Sequence, residues 1–271
     1  MLPQWHVIRG KRSVNRIERV FTGRRKAFIP FITAGDPSLD VTEKLVLTLA
    51  AAGADLIELG IPFSDPVAEG PVIQAADERS LAAGTNLDSV FNLVERIRGD
   101  CQTALALMTY ANPVFRYGID RFAKRCGDCG IDAVIIPDVP FEESEEFRPA
   151  FSQNKVHLIS MIAPTSAGRI RKIAEKASGF IYCVSSLGVT GVRSQLDDQI
   201  SDLIVQLKKV RDIPCAVGFG ISTPRQVSQM AAIADGVIVG SALVKIIAEY
   251  GDQCVEPVRQ LADDMIQALD A

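Results

Sequence analysis

The stretch "ADLIELGIPFSDPVAEGP" (54–71) decides the fold. Its first part, "ADLIELG" (54–60), is a short apolar run ending in glycine, the pattern of a strand covered on both faces. Glu58 interrupts that run near its end, on the same face as Leu56 and Gly60 by strand alternation. The remainder is a loop with three prolines that carries two more acids, Asp65 and Glu69. The proline rings fix φ and leave this loop partly preorganised.

Seven similar apolar runs occur elsewhere. They are "AFIPFIT" (27–33), "TALALMTY" (103–110), "DAVIIPD" (132–138), "VHLISMIAP" (156–164), "GFIYCVSS" (179–186), "IPCAVGFG" (213–220) and "DGVIVGS" (235–241). Between them lie amphipathic stretches such as "DVTEKLVLTLAAAG" and "TPRQVSQMAAIA", opened by Ser, Thr or Asp or closed by Gly, as helix caps are. Apolar strands alternating with helices predict a parallel sheet, and eight such units predict a (β/α)8 barrel, an α/β fold. An open doubly wound sheet is the alternative, but no G-x-G-x-x-G follows the first run. The third run arrives late, so 72–100 is expected to hold two helices, one more than usual after strand 2. A further helix over 14–22 is expected to plug the bottom of the barrel, with 1–12 as an N-terminal arm. No linker or low-complexity tract divides the chain, so 1–271 reads as one domain.

Composition narrows the function classes. The chain has 271 residues, 48% of them hydrophobic, and a net charge of −4, which gives no general attraction to nucleic acid or anionic membrane. The basic N-terminus lacks the apolar core of a signal peptide, and no apolar run is long enough to span a bilayer. These features predict a soluble, cytoplasmic protein. Among six cysteines only Cys126 and Cys129 form a C-x-x-C, with no second pair and no nearby histidine, so buried thiols are expected rather than a zinc site. The two histidines, His6 and His157, lie in the arm and at the opening of a strand, which leaves carboxylates as the agents of any acid–base chemistry.

Barrels of this class place their chemistry where strands end and βα loops begin. Glu58 stands there, and burial without a partner raises a carboxyl's pKa and makes it able to donate and accept protons near neutral pH. Asp65, in "FSDP", reads equally well as a turn cap or as a functional acid. Glu69 reads as a solvated loop charge or as a second acid beside Glu58. The glycines of "SSLGVTGVRS", "GFGIST" and "GSALVK" lie after strands six, seven and eight, with a helix opening at Ser241. Exposed backbone N–H groups and a helix N-terminus at these loops predict a phosphate. Phe31, Leu107, Met108 and Tyr182 read mostly as core, with an apolar pocket as the functional alternative.

Taken together, "PFITAGDP" (30–37), "IELGIPFSDP" (57–66), "GPVIQ" (70–74), "YAN" (110–112), "PDVPFEES" (137–144), "LGVTG" (187–191), "GFGIS" (218–222) and "GSALVKII" (240–247) resemble the alpha subunit of tryptophan synthase over nearly the whole chain. The resemblance implies a carbon–carbon lyase that splits indole-3-glycerol phosphate into indole and glyceraldehyde 3-phosphate in tryptophan biosynthesis. By the family pattern Glu58 moves the protons, the acid at position 69 stabilises charge at the indole nitrogen, and Tyr182 lies beside the substrate. Phe31 and Met108 match the indole pocket, Gly191, Gly220, Gly240 and Ser241 the phosphate site, and Thr190 the lid loop. The resemblance also implies a beta subunit as partner in an α2β2 complex. Pyridoxal phosphate (PLP) is expected only in that partner, with no cofactor in this chain. Pro62, Asp65, Asn112, Asp138 and Pro140 match the partner-facing surface. The family's usual residue at 69 is aspartate, and glutamate adds about 1.5 Å of reach; Met108 stands where leucine is common, a volume-conserving change. A regulatory subunit with weak activity of its own, a free-standing indole-releasing lyase and another phosphosugar barrel such as an isomerase are the competing readings.

Overall fold

The computed structural model describes residues 15–23, 25–184, 193–218 and 220–269. Nine strands form one parallel sheet: β1 (Ala27–Thr33), β2 (Leu56–Gly60), β3 (Ala104–Met108), β4 (Ala133–Ile135), β5 (His157–Leu158), β6 (Ser160–Ile162), β7 (Ile181–Val184), β8 (Cys215–Gly218) and β9 (Gly236–Val239). Their order is β5-β4-β3-β2-β1-β9-β8-β7-β6. The two outermost strands are halves of one run, "VHLISMIAP", split at Ile159. Its first half pairs with β4 and its second with β7. The sheet therefore closes on itself through that run, and the ninth strand is the expected fifth one changing neighbours.

Strand alternation separates two apolar layers. Ile57, Leu59, Leu105, Leu107 and Val134 face outward to the helices, whereas Ile29, Phe31, Leu56, Ala106, Met108, Ile135 and Tyr182 fill the barrel. Many inward positions are small, including Ala104, Ala106, Ala133 and Ala216. Small side chains leave space inside a barrel that branched residues would fill.

The late third strand follows from two helices, Pro71–Ala82 and Leu87–Asp100, the second opened by a capping box between Asn86 and Ser89. The bottom helix covers only Ile17–Val20, shorter than 14–22, because Asn15 ends it by accepting the Ile17 N–H and donating to Asp132 O and Lys155 O. Ile17 and Val20 are buried, and the Phe21 ring lies 5.4 Å from Phe180. This is the expected plug. The arm 1–12 lies outside the described residues.

One device recurs at the barrel bottom. Asp55, Asp132 and Asp235 each immediately precede a strand and accept a backbone N–H from the neighbouring one: Phe28 at 2.8 Å, Leu105 at 3.0 Å and Cys215 at 2.9 Å. Each also pairs with a cation, Arg25, Arg98 and Lys208 respectively. These aspartates fix where adjacent strands start relative to each other.

Candidate active site

At the opposite mouth, β2 places Glu58 opposite Phe31 of β1 and Ala106 of β3. Glu58 is 1% exposed, and its Oε1 has no hydrogen-bond partner. Burial first, and then the charge of Glu69, push this carboxyl up to about 8. Glu69 follows on the loop. Its N–H donates to Pro66 O, and its carbonyl accepts from Gln74 Nε2 at 2.8 Å. Burial raises its carboxyl to about 7. The Tyr182 phenol, buried on β7, is pushed well above its ordinary range by burial and by the charges of Glu58 and Glu69, so the three side chains form one group.

Phe31, Glu69, Met108, Tyr182, Gly220, Gly240 and Ser241 line a single cavity of about 760 Å3. With Asp138 and Pro140, which line it as well, nine of the residues singled out from sequence are thus brought together. Glu58 is not in the wall of this cavity, although its register partner Phe31 is. Thr190 and Gly191 lie outside the described residues. Gly220 has a φ of 74°, a left-handed conformation that favours glycine. The helix Ser241–Tyr250 opens at the cavity with no side-chain cap, leaving its first N–H groups open to an anion. The helix Pro224–Ala231, by contrast, is closed by the capping box of Thr223 and Gln226. A phosphate therefore fits the former.

The expected partner-facing residues divide. Asp65, Asn112, Asp138 and Pro140 are exposed around the mouth, but Pro62, directly after the buried end of β2, is itself buried. Asp65 accepts the Ser64 hydroxyl at 2.5 Å. Asp138 accepts the Ala111 N–H at 2.9 Å and so holds the start of the helix Ala111–Tyr117. Cys126 and Cys129 are buried in the helix Ile119–Cys129, where Cys129 donates to Cys126 O. Among the described residues no cluster fit for a metal occurs, and no helix is long and apolar enough to cross a membrane.

Several site residues escaped the sequence reading. Tyr110 accepts the Ala68 N–H at 3.1 Å and stacks on Phe63 with ring centroids 5.3 Å apart, which pins the loop before Glu69. Gly218 makes room for Tyr182, since a Cβ there would lie 2.5 Å from the phenolic oxygen. Asp36, at the end of β1, takes a bidentate pair from Arg79, both bonds 2.8 Å. Asp77 is buried on the helix Pro71–Ala82 along with Ile73, Ala76 and Ser80. An acid at i+4 from Ile73 on an apolar helix face is the signal that could have found it.

Comparison with known proteins agrees with this geometry. The family model for the tryptophan synthase alpha chain matches residues 18–269. The alpha chain of Halalkalibacterium halodurans is 48% identical over 90% of this chain and 92% of its own length. That of Lacticaseibacillus casei is 47% identical over 91% and 92%. Among solved structures, the Legionella pneumophila alpha subunit superposes with a TM-score of 0.87 at 38% identity, covering 95% of this chain and 99% of that one. A chain of the tryptophan synthase complex from Pyrococcus furiosus gives 0.80 at 33% identity, covering 90% and 99%. The chain belongs to the tryptophan synthase alpha chain family.

Proposed function

We propose that Glu58, Glu69 and Tyr182 carry the family's reaction, cleavage of indole-3-glycerol phosphate, as follows. The protonated Glu58, in register with Phe31 of the cavity wall, serves as the acid. It gives its proton to C3 of the indole ring, and positive charge develops at the ring nitrogen, where ionised Glu69 stabilises it. The Glu58 carboxylate then takes the proton of the adjacent glycerol hydroxyl. The carbon–carbon bond breaks, its electron pair returns to the ring, and indole and an aldehyde, glyceraldehyde 3-phosphate, result. Glu58 ends with its proton restored.

The observation that carries this reading is the placing of the two acids: Glu58 is buried in register with Phe31 of the cavity wall, with one carboxyl oxygen unpartnered among the described residues, and Glu69 lines that cavity. Burial raises both carboxyls toward the neutral range, where a carboxyl can give or take a proton. Phe31 and Met108 suit the ring, and Gly220, Gly240 and Ser241 the phosphate, with Thr190 and Gly191 assigned to the closing loop. The exposed Asp65, Asn112, Asp138 and Pro140 ring the mouth and suit a beta subunit, as in an α2β2 assembly. PLP belongs to that partner. The working compartment is the cytoplasm.

The test is indole release from indole-3-glycerol phosphate, with and without a beta subunit, across pH. The kcat/KM profile should be bell-shaped, falling below about 7 as Glu69 gains a proton and above about 8 as Glu58 loses its own. A chain that stimulates a beta subunit yet releases no indole would instead be regulatory.

A further inference from the structure

The cavity that Glu69 lines does not stop at the barrel wall. The run through β5 and β6 is tied to β4 as far as the Ile159 N–H, which donates to Val134 O at 2.9 Å. From Ser160 onward it pairs with β7 instead. Among the described residues no backbone hydrogen bond joins 136–138 to 160–162, so the wall parts between these two edges. Both edges line the cavity, Ile136 and Pro137 on one side and Ser160 and Ile162 on the other. The lining accordingly takes in Met161 and Tyr182 of the inner apolar layer together with Leu158, Ile162 and Ile173 of the outer one. A side arm of the cavity thus passes through the gap and runs under the helices.

Arg148, on the helix Arg148–Gln153, closes this arm. It and Leu158 line both this cavity and a second one of about 750 Å3 beside Asn15 and His157, so the two side chains form the partition between them. The Arg148 side chain is 17% exposed. Its Nε donates to Ser144 Oγ at 3.0 Å, its Nη1 to Lys176 O at 2.9 Å, and its Nη2 reaches Ser160 Oγ at 3.4 Å. The guanidinium carbon lies 5.6 Å from the centroid of the Phe141 ring. All these partners are neutral. Glu145 stays 4.0 Å away and is held by Lys176 at 2.6 Å. Arg169, the other arginine on the wall, has Glu142 at 3.0 Å. A guanidinium has five N–H donors, so Arg148 keeps some to spare. A shielded cation without a close counter-charge favours an anion, and the planar fork suits a carboxylate.

We propose that the arm is a binding subsite for a small aromatic carboxylate, its ring against Phe141, Ile162 and Ile173 and its carboxylate on Arg148 beside the Ser144 and Ser160 hydroxyls. Gly220, Gly240 and Ser241 stand on other βα loops, so a phosphate there and a carboxylate in the arm can be bound together.

The experiment titrates the full chain with 4-fluorobenzoate and, separately, with its neutral analogue 4-fluorobenzamide, read by 19F NMR. The benzoate should bind about tenfold tighter or more, and in Arg148→Gln its affinity should fall to that of the amide. Ser160→Leu keeps the arginine but fills the gap between the strands, and should weaken both probes. Saturating glycerol 3-phosphate should leave the benzoate bound. Equal affinity of the two probes for the wild type, or no binding of either, overturns the proposal without recourse to a variant. Benzoate affinity unchanged in a folded Arg148→Gln also overturns it, and displacement by glycerol 3-phosphate would assign the probe to the phosphate loops instead. No turnover enters these measurements, so they decide the role of the arm whether or not the chain releases indole.

Discussion

Asp132 and Glu58 are buried almost equally, 3% and 1% exposed, at opposite ends of the same barrel. Asp132 receives Arg16 at 3.1 Å, Arg98 at 2.8 Å and the Leu105 N–H at 3.0 Å. Among the described residues Glu58 has no cation, and one of its oxygens has no hydrogen-bond partner. The difference teaches that burial by itself says little about a carboxylate's role. At the bottom, partners hold the charge and the charge holds the strands. At the top the partners are withheld, and the group keeps its proton into the neutral range.

The largest effect should come from breaking the top. Glu58→Gln should lower kcat about a thousandfold, roughly 4 kcal/mol of barrier, and turnover near wild type would remove Glu58 from proton transfer. The same variant should become more stable relative to the wild type as pH rises. The folded-state pKa, about 8, lies above the ordinary 4.5, so between those values the folded chain retains a proton that the unfolded chain has released. In the wild type this steadily subtracts stability across the window, and glutamine does not. The gap in melting temperature between variant and wild type should therefore widen from pH 5 to 8; a constant gap contradicts the assignment.

The bottom should respond in the opposite sense. Asp132→Ala strands the buried Arg98 guanidinium and should cost about 3–5 kcal/mol, lowering the melting temperature by roughly 10 °C. The specific activity of the folded fraction should be unaffected, and a loss of kcat would show that the two ends are coupled.

Glu69→Asp should lower kcat about tenfold, because the loop is pinned by Tyr110 and Gln74 around the longer side chain. A faster variant would mean the glutamate is a compromise rather than a fit. Asp55→Ala should have the smallest effect, about 1–2 kcal/mol, since that aspartate and Arg25 are only partly buried. Calorimetry at fixed pH separates it from Asp132→Ala, and equal losses would refute the ranking by burial.

Much of this was legible in the residues. Apolar runs and caps predict eight βα units, the extra helix and the plug, because strand and helix periods are local properties. Glu58 stands out because an acid in an apolar run breaks a pattern. Asp77 breaks one too, but the helix pattern there is weak, with Ala76 and Ser80 as its neighbours. Nothing local separates Asp55, Asp132 and Asp235 from ordinary turn residues; their partners lie 27, 27 and 20 residues away. That Pro62 is buried, and that Glu58 is not in the cavity wall, likewise depended on packing.

The sequence alone determined the barrel, the identity of the acids and the glycine-bearing loops after the last strands, since these follow from periodicity, residue chemistry and position along the chain. The tertiary structure decided which carboxylates have partners and which do not. That depends on strand register and on side chains far apart in sequence, and it turns Asp132 into a fastening and Glu58 into an acid.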